Sequence, residues 1–459
     1  MALSYSGFVA ILLFFFRYLR LVVNLISHWT YRSIPIADSP SYTSKDVTVI
    51  VPTIEGDGDS LRRTIRACLV TDPAEVIVVT IDANVKQALH MAAQINFNRI
   101  RVLSVAKANK RRQMCRAIPY VKTKITIFAD DDVIWPATVI PWMLAPFEDD
   151  TMGAVGTSQR LVRPKSPSVW TFLGSLYLER RNFDCSACLN MDGGLPCLSG
   201  RTVAYRTCIL QEEDFGFHFT NETWRTHQLN ADDDNFMTRW MFRHGWKIAM
   251  QYNKACEVQT TLEDGPTYLK QCLRWVRSNW RSNLTSLFVE RHYWSSQPWT
   301  TYAVFQTTLT AWAMVDPILF SLIWRATNDW PSEDRTRVLM AAGFWIFGFA
   351  KTVKLLGHFV RYPADLTMLP ISVLFGYVHG VIKLIGLFTL FETAWGSREG
   401  ADEDDRLRMI RLPPYMRMIS QGEDPASVKE QDATDEYSQN LPPYQAQDDS
   451  RGVSTSYHD

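Results

Sequence analysis

Apolar and polar positions alternate differently in successive parts of the chain, and each change of pattern predicts a different kind of element. Residues 2–29 form an apolar run whose only full charges are Arg17 and Arg20. It is longer than a signal-peptide core and has no small-residue cleavage site, so an uncleaved membrane anchor is expected. The two arginines are costly in a simple span, which leaves an interfacial helix with snorkelling arginines as the alternative. From about 46 to 262 short β-branched runs alternate with helix-like stretches: Val47 to Pro52, then Ser60 to Val70, then Val76 to Ile81, with Ile125 to Phe128 further on. Strand, helix, strand in this order predicts a mostly parallel sheet, with ligands at the strand ends. After Arg291 no Lys or Arg occurs until Arg325, and Thr300 to Trp324 is long enough to cross a bilayer, with Asp316 and Pro317 breaking it. Two more apolar runs follow, Val338 to Val360 and Leu366 to Phe391; Pro370, Gly376, Gly380 and Gly386 punctuate the second, which is expected to be bent, re-entrant or interfacial. Beyond Trp395 the periodicity stops.

Composition narrows the reading. Basic and acidic residues number 48 each, a balance that argues against nucleic-acid binding. The last 64 residues, 396–459, carry 14 acidic and 7 basic residues, and so predict a disordered acidic tail. That tail repeats a short string, Leu412-Pro413-Pro414-Tyr415 and Leu441-Pro442-Pro443-Tyr444, of the L-P-x-Y kind that WW-domain proteins read, although proline-rich tails also produce such strings by chance. Eight cysteines, irregularly spaced, suit a reducing compartment. Cys185 and Cys188 form a C-x-x-C followed by Cys197 and Cys208; a zinc site is the alternative to buried small hydrophobes, but the spacing fits no finger.

The candidate chemistry is acidic and sits at strand ends. Asp82 closes the run from Val76, and Ile125 to Phe128 leads into Asp130-Asp131-Asp132. Crowded carboxylates repel one another, and a divalent cation relieves that repulsion. A D-x-D with a metal suits transfer of a sugar from a nucleotide, because the cation stabilises a diphosphate leaving group. Asp232-Asp233-Asp234 opens another helix-like stretch, Gln271-Cys272-Leu273-Arg274-Trp275 follows, and Trp395-Gly396-Ser397-Arg398 comes after the last apolar run.

This ordered set resembles the processive, membrane-embedded family 2 glycosyltransferases of the hyaluronan, chitin and cellulose synthase type, and most of all small fungal type 2 glycosyltransferases related to hyaluronan synthases. The resemblance covers roughly residues 46–400. It implies donor-binding roles for Asp82, Lys110, Asp130 and Arg274, with Lys110-Arg111 similar to a G-K-R segment in which Asn109 replaces glycine. It implies metal binding, Mg²⁺ or Mn²⁺, by Asp130 and Asp132. Asp234, with Asp233 beside it, corresponds to the general base. Gln271 and Trp275 of Q-x-x-R-W, with Ser199 and Gly200 of the segment Ser199 to Arg206, are assigned to the acceptor or polymer, and Trp395 and Arg398 to gating or site closure. One N-terminal apolar segment stands where many hyaluronan synthases have two, so self-sufficient translocation of product does not follow.

The fold expected is α/β, a GT-A type nucleotide-sugar transferase domain joined to interfacial and transmembrane helices. The divisions are an anchor and linker (1–45), the catalytic domain (46–262), interfacial helices bearing Q-x-x-R-W (263–298), membrane helices (299–395) and the tail (396–459). The function expected is inverting transfer from a UDP-sugar to a growing cell-wall or extracellular polysaccharide, at the plasma membrane, with the catalytic domain in the cytosol. Partners would be the donor, a glycan acceptor, the lipid bilayer and a WW-domain protein, and no nucleic acid. Two rivals are a single-transfer enzyme acting on a lipid carrier, which would not need Q-x-x-R-W, and a catalytically dead membrane adaptor, against which the intact carboxylates argue.

Overall fold

The computed structural model describes residues 4–291 and 293–393. Trp395, Arg398 and both L-P-P-Y strings lie outside the described residues. Eleven strands are described, in chain order β1 (Val47–Pro52), β2 (Glu75–Ile81), β3 (Ile100–Val105), β4 (Ile125–Ala129), β5 (Met152–Thr157), β6 (Gln159–Leu161), β7 (Thr202–Arg206), β8 (Thr223–Trp224), β9 (His227–Gln228), β10 (Lys247–Gln251) and β11 (Val258–Thr260). Seven of them build one sheet in the order β10-β5-β7-β4-β1-β2-β3. Its pairs are parallel except where β7 runs antiparallel between β4 and β5. A parallel pair, β6 with β11, and a small hairpin, β8 with β9, complete the strands.

The near-continuous apolar runs follow from burial on both faces. Val47, Val49 and Val51 of β1 join a core with Leu61, Ile65 and Met91, from the helices Asp59–Val70 and Val85–Asn96. Their neighbour Ile50 points the other way, into a core with Met114, Phe236 and Met237 from the helices Lys110–Ala117 and Asp233–Arg243. Alternation along one strand therefore feeds two cores, and it leaves the strand ends to carry chemistry.

Among the described residues, three helical stretches are long and apolar enough to cross a membrane: Tyr5–Thr30, Ser332–Arg361 and Pro363–Phe388. Arg17, an apparent liability of the first, is buried and pairs with the fully buried Asp316, which also takes Lys351. Arg20 donates to the Thr307 hydroxyl and to the Ala303 carbonyl. Both arginines thus face protein, where intramembrane charge is tolerated.

Two expectations need correction. The run Thr300 to Trp324 is two helices, Pro298–Leu309 and Val315–Ala326, and the break falls before Asp316 and Pro317, which sit in the first turn of the second. Leu366 to Phe391, expected to be bent, re-entrant or interfacial, contains an unbroken helix, Leu369–Phe388, which removes the bend and leaves the other two arrangements untouched. Pro370 lies in its first turn, where the missing N–H would find no helical acceptor anyway. The glycines serve close packing: a Cβ on Gly386 would stand 2.5 Å from Val276 Cγ1 of the neighbouring helix Thr267–Leu284.

Candidate active site

Where β1 and β4 end, a cavity of about 370 Å³ opens, lined among others by Glu55, Lys110, Asp130, Asp132, Arg274 and Trp275. The Asp130 backbone N–H donates to the Arg201 carbonyl (2.9 Å), which carries the pairing of β4 with β7 past the strand ends. Alternation then sorts the acidic triplet. Asp131 is buried and accepts from the Thr53 hydroxyl (2.7 Å), whereas Asp130 and Asp132 are half-buried. Burial, and next the charge of Asp130, push the Asp132 carboxyl above the usual range, against a hydrogen bond from Thr261 (2.6 Å). Asp82 is placed elsewhere: it stands exposed in the turn Asp82–Asn84 after β2 and does not line this cavity.

A second space, about 100 Å³, adjoins the first and shares Lys110, Asp130, Arg201, Arg274 and Trp275 with it. Ser199, Gly200, Asp233 and Asp234 belong to this side. The helix Asp233–Arg243 begins behind Asp232, whose φ of +66° is left-handed. That conformation costs about 1–2 kcal/mol without glycine. Arg281 holds it there, with Nε and a terminal nitrogen 3.0 and 2.7 Å from Asp232 Oδ2.

The turn delivers Asp233 and Asp234 to opposite fates. Lys110 Nζ lies 2.8 Å from Asp130 and 2.9 Å from Asp233. Burial opposes charge on Asp233, but Lys110 outweighs it and holds the carboxyl below its usual range. Asp234 is pushed upward, by burial and then by the charge of Asp233. The two adjacent carboxylates are thus driven apart in basicity, Asp233 downward and Asp234 upward, a separation that acid–base chemistry can use. Gly200 is what lets the chain pass here: a Cβ on it would stand 3.2 Å from Asp233 Oδ2 and 3.3 Å from Asp234 Cβ.

Gln271, Arg274 and Trp275 lie on the helix Thr267–Leu284, three and four residues apart and so on one face. Gln271 accepts from the Glu263 backbone N–H (3.3 Å). Trp275 stacks on Tyr177, rings 4.5 Å apart and 13° from parallel, with the Arg201 guanidinium 5.7 Å from its ring centre. Residues 44–278 match the family described as "Glycosyltransferase like family 2". The chain belongs to glycosyltransferase family 2. This glycosyltransferase is 62% identical over 405 residues to a "Type 2 glycosyltransferase" of Zymoseptoria tritici, covering 88% of this chain and 86% of that one. A more distant similarity, 27% over 184 residues, links it to human "Hyaluronan synthase 3", covering 39% of this chain and 31% of that one. Its fold resembles that of the mannosyltransferase PcManGT from Pyrobaculum calidifontis, solved with GDP-Man and Mn²⁺, at a TM-score of 0.50 and 15% identity, over 81% of this chain and 98% of the other. The catalytic domain is thus GT-A-like.

Among the described residues of the glycosyltransferase no group of three or more His, Cys, Asp or Glu is set to hold a metal. Cys185, Cys188 and Cys197 are buried thiols and Cys208 is exposed. Asp130 and Asp132 nonetheless fit Mg²⁺ or Mn²⁺, since such ions take one or two carboxylates and fill their shell with water and phosphate.

Sequence reasoning missed Arg201 and Tyr177, which line the cleft, and the Asp232–Arg281 pair. Arg201 follows Ser199 and Gly200 directly and could have been found; Tyr177 sits in a helix without any motif. Arg111, grouped with Lys110 in the sequence, faces the opposite way and binds the Phe219 and Ala231 carbonyls and Glu222. Asn109, in place of glycine, caps the helix of Lys110 by accepting from the Arg112 N–H (3.1 Å). Its φ of −158° needs no glycine.

Proposed function

We propose that this family 2 glycosyltransferase is an integral membrane enzyme that adds sugar from a UDP-sugar, with inversion, to a growing extracellular or cell-wall polysaccharide. The observation that carries the reading is the junction of the two spaces at Lys110, Arg274 and Trp275, with the D-x-D on one side and Asp234 on the other. The nucleotide diphosphate occupies the larger cavity, where Lys110 and Arg274 supply positive charge. Asp82, exposed after β2, reaches the nucleotide only if the donor extends beyond this cavity. Asp130 and Asp132 hold Mg²⁺ or Mn²⁺, which when bound neutralises charge on the diphosphate leaving group. Asp234 takes the proton of the acceptor hydroxyl as that oxygen attacks the anomeric carbon, and the bond to the diphosphate breaks on the opposite face. Asp233 keeps Lys110 in place between the two sides. Trp275, stacked on Tyr177, offers a flat face to the acceptor sugar, with Ser199 and Gly200 as the opposite wall.

The catalytic domain faces the cytosol, where nucleotide sugars are supplied, and the plasma membrane is the expected site. Gating or site closure is the role that the resemblance implies for Trp395 and Arg398, and the tail strings offer ligands to WW-domain proteins. Polymerisation is favoured over single transfer because Gln271, Arg274 and Trp275 all border the cleft. The test is incubation of the purified full-length protein with a panel of UDP-sugars, reading UDP release and the size of the product. Release without any product longer than one added sugar would refute polymerisation, and no release from any donor would refute the reading altogether.

A further inference from the structure

A third cavity, about 230 Å³, continues from the acceptor side into the bundle and shares Tyr177, Arg181 and Trp275 with the cleft that holds Asp234. Its lining combines apolar side chains, among them Val276, Trp280, Ala303 and Val304, with the cations Arg20, Arg181 and Lys383. Arg20 and Lys383 come from two of the stretches apolar enough to cross a membrane, where an uncompensated charge is expensive.

Three other cations of the bundle are neutralised, whereas Arg180 reaches the Ser372 hydroxyl (3.1 Å). Arg17 and Lys351 share Asp316, and Lys354 takes Asp184 at 2.7 Å. Asp184 is the carboxylate that lines this cavity; Lys354 and Asn24 (3.3 Å) engage it directly, and its charge is shared with Arg20 at longer range. Arg20 and Lys383 form no ion pair among the described residues. Both instead converge on Thr307: Arg20 donates to its hydroxyl, and Lys383 Nζ lies 3.3 Å from its carbonyl oxygen. Two like charges drawn to one residue inside a cavity repel each other and lower the cost of admitting an anion.

We propose that this cavity seats the phosphate of a lipid-linked glycan, so that the acceptor is a phosphate-bearing lipid glycoside whose terminal sugar lies beside Trp275 and Asp234. The proposal rests on the transferase reading above and names its acceptor class. The order of parts matches the order of surroundings: sugar at the aromatic cleft, anion at Arg20 and Lys383, hydrocarbon along the apolar wall. A uronic acid within the glycan would bring an oxyanion too. The cavity favours the phosphate, because a single compact anion satisfies two cations that meet at one residue.

The test compares acceptors at fixed UDP-sugar with the full-length protein in detergent: a prenyl-diphosphate-linked monosaccharide, the same monosaccharide as a neutral octyl glycoside, and a uronate-terminated oligosaccharide. The prenyl diphosphate should show a KM at least about tenfold below the octyl glycoside. Arg20→Met and Lys383→Met should erase that advantage with the KM for donor unchanged, and Lys383→Arg should keep it. Equal KM values in the unaltered protein, or an advantage intact in both Met variants, would overturn the proposal. Preference for the uronate, lost in Lys383→Met, would overturn the lipid source. Quenching of tryptophan fluorescence by the prenyl-diphosphate glycoside, with Lys383→Arg as the folding control, reads the site even where no donor is turned over. Quenching that Lys383→Met abolishes supports the site independently of the transferase reading, and quenching equal in both variants counts against it.

Discussion

Replacing Arg281 by Met isolates the pair that holds the left-handed turn before the base. The Arg281 and Asp232 side chains are 3% and 6% exposed, and the guanidinium makes two contacts to Asp232 and one each to the Leu390 and Glu392 carbonyls, both at 3.2 Å. Arg281→Met keeps the length of the stem but leaves a buried carboxylate without its cation, a loss of about 3–5 kcal/mol. At about 2–4 °C per kcal/mol, Tm should fall by roughly 6–20 °C. Asp232→Asn in the same chain removes the stranded charge, so the double variant should recover most of that loss, with a coupling of about 2–3 kcal/mol. The assay is thermal unfolding in detergent followed by tryptophan fluorescence, with UDP release measured on all four proteins of the cycle. Strictly additive shifts, or an Arg281→Met protein as stable as the parent, would refute the argument that a buried pair sustains the turn.

Other outcomes follow from the same geometry. Asp234→Asn should lower kcat by about a hundredfold or more while UDP binding persists; a dead Asp233→Asn beside an active Asp234→Asn would place the base one residue earlier. Because burial and Asp233 raise the Asp234 carboxyl, and a base works only when deprotonated, kcat should rise with pH through a limb lying above the usual carboxylate range; a flat profile there would exclude Asp234 from that role. Asp130→Ala and Asp132→Ala should each abolish Mn²⁺-dependent UDP binding, whereas Asp131→Ala, which loses the Thr53 contact, should lower Tm and spare the metal; titration of UDP with and without Mn²⁺ separates these results. Gly200→Ala should cut kcat by roughly tenfold or more, since its methyl enters contact with Asp233 and Asp234; unchanged turnover would mean the backbone yields there.

How much of this was legible in sequence depended on how local each signal was. Val47 to Pro52 and Val76 to Ile81 advertise buried parallel strands by composition alone, and the observed strands match them to within a residue. Gln271, Arg274 and Trp275 carry helical spacing in their own motif. Asp82 was read as part of the same strand-end chemistry, but the lateral position of β2 in the sheet, invisible from one strand, sets it apart from Asp130. The arginines at 17 and 20 looked like defects of a span because their partners, Asp316 and Thr307, are nearly three hundred residues away. The left-handed Asp232 was hidden for a different reason: aspartate tolerates that conformation better than most residues but adopts it too seldom to announce it, and the Arg281 partner lies 49 residues away.

If the helix Leu369–Phe388 crosses a bilayer, for which it is long and apolar enough, its close packing at Gly386 on Val276 makes the thickness of that bilayer a kinetic variable. The helix Leu369–Phe388 packs on the Q-x-x-R-W helix, with Trp280 Nε1 donating to the Lys383 carbonyl (3.1 Å) and Arg277 to the Thr389 hydroxyl (2.9 Å), so a tilt of one carries Trp275 and Arg281 on the other. Tilt is how apolar helices answer hydrophobic mismatch. Turnover in vesicles of increasing acyl length should therefore pass through an optimum, and a rate indifferent to acyl length would show that the two helices slip past each other.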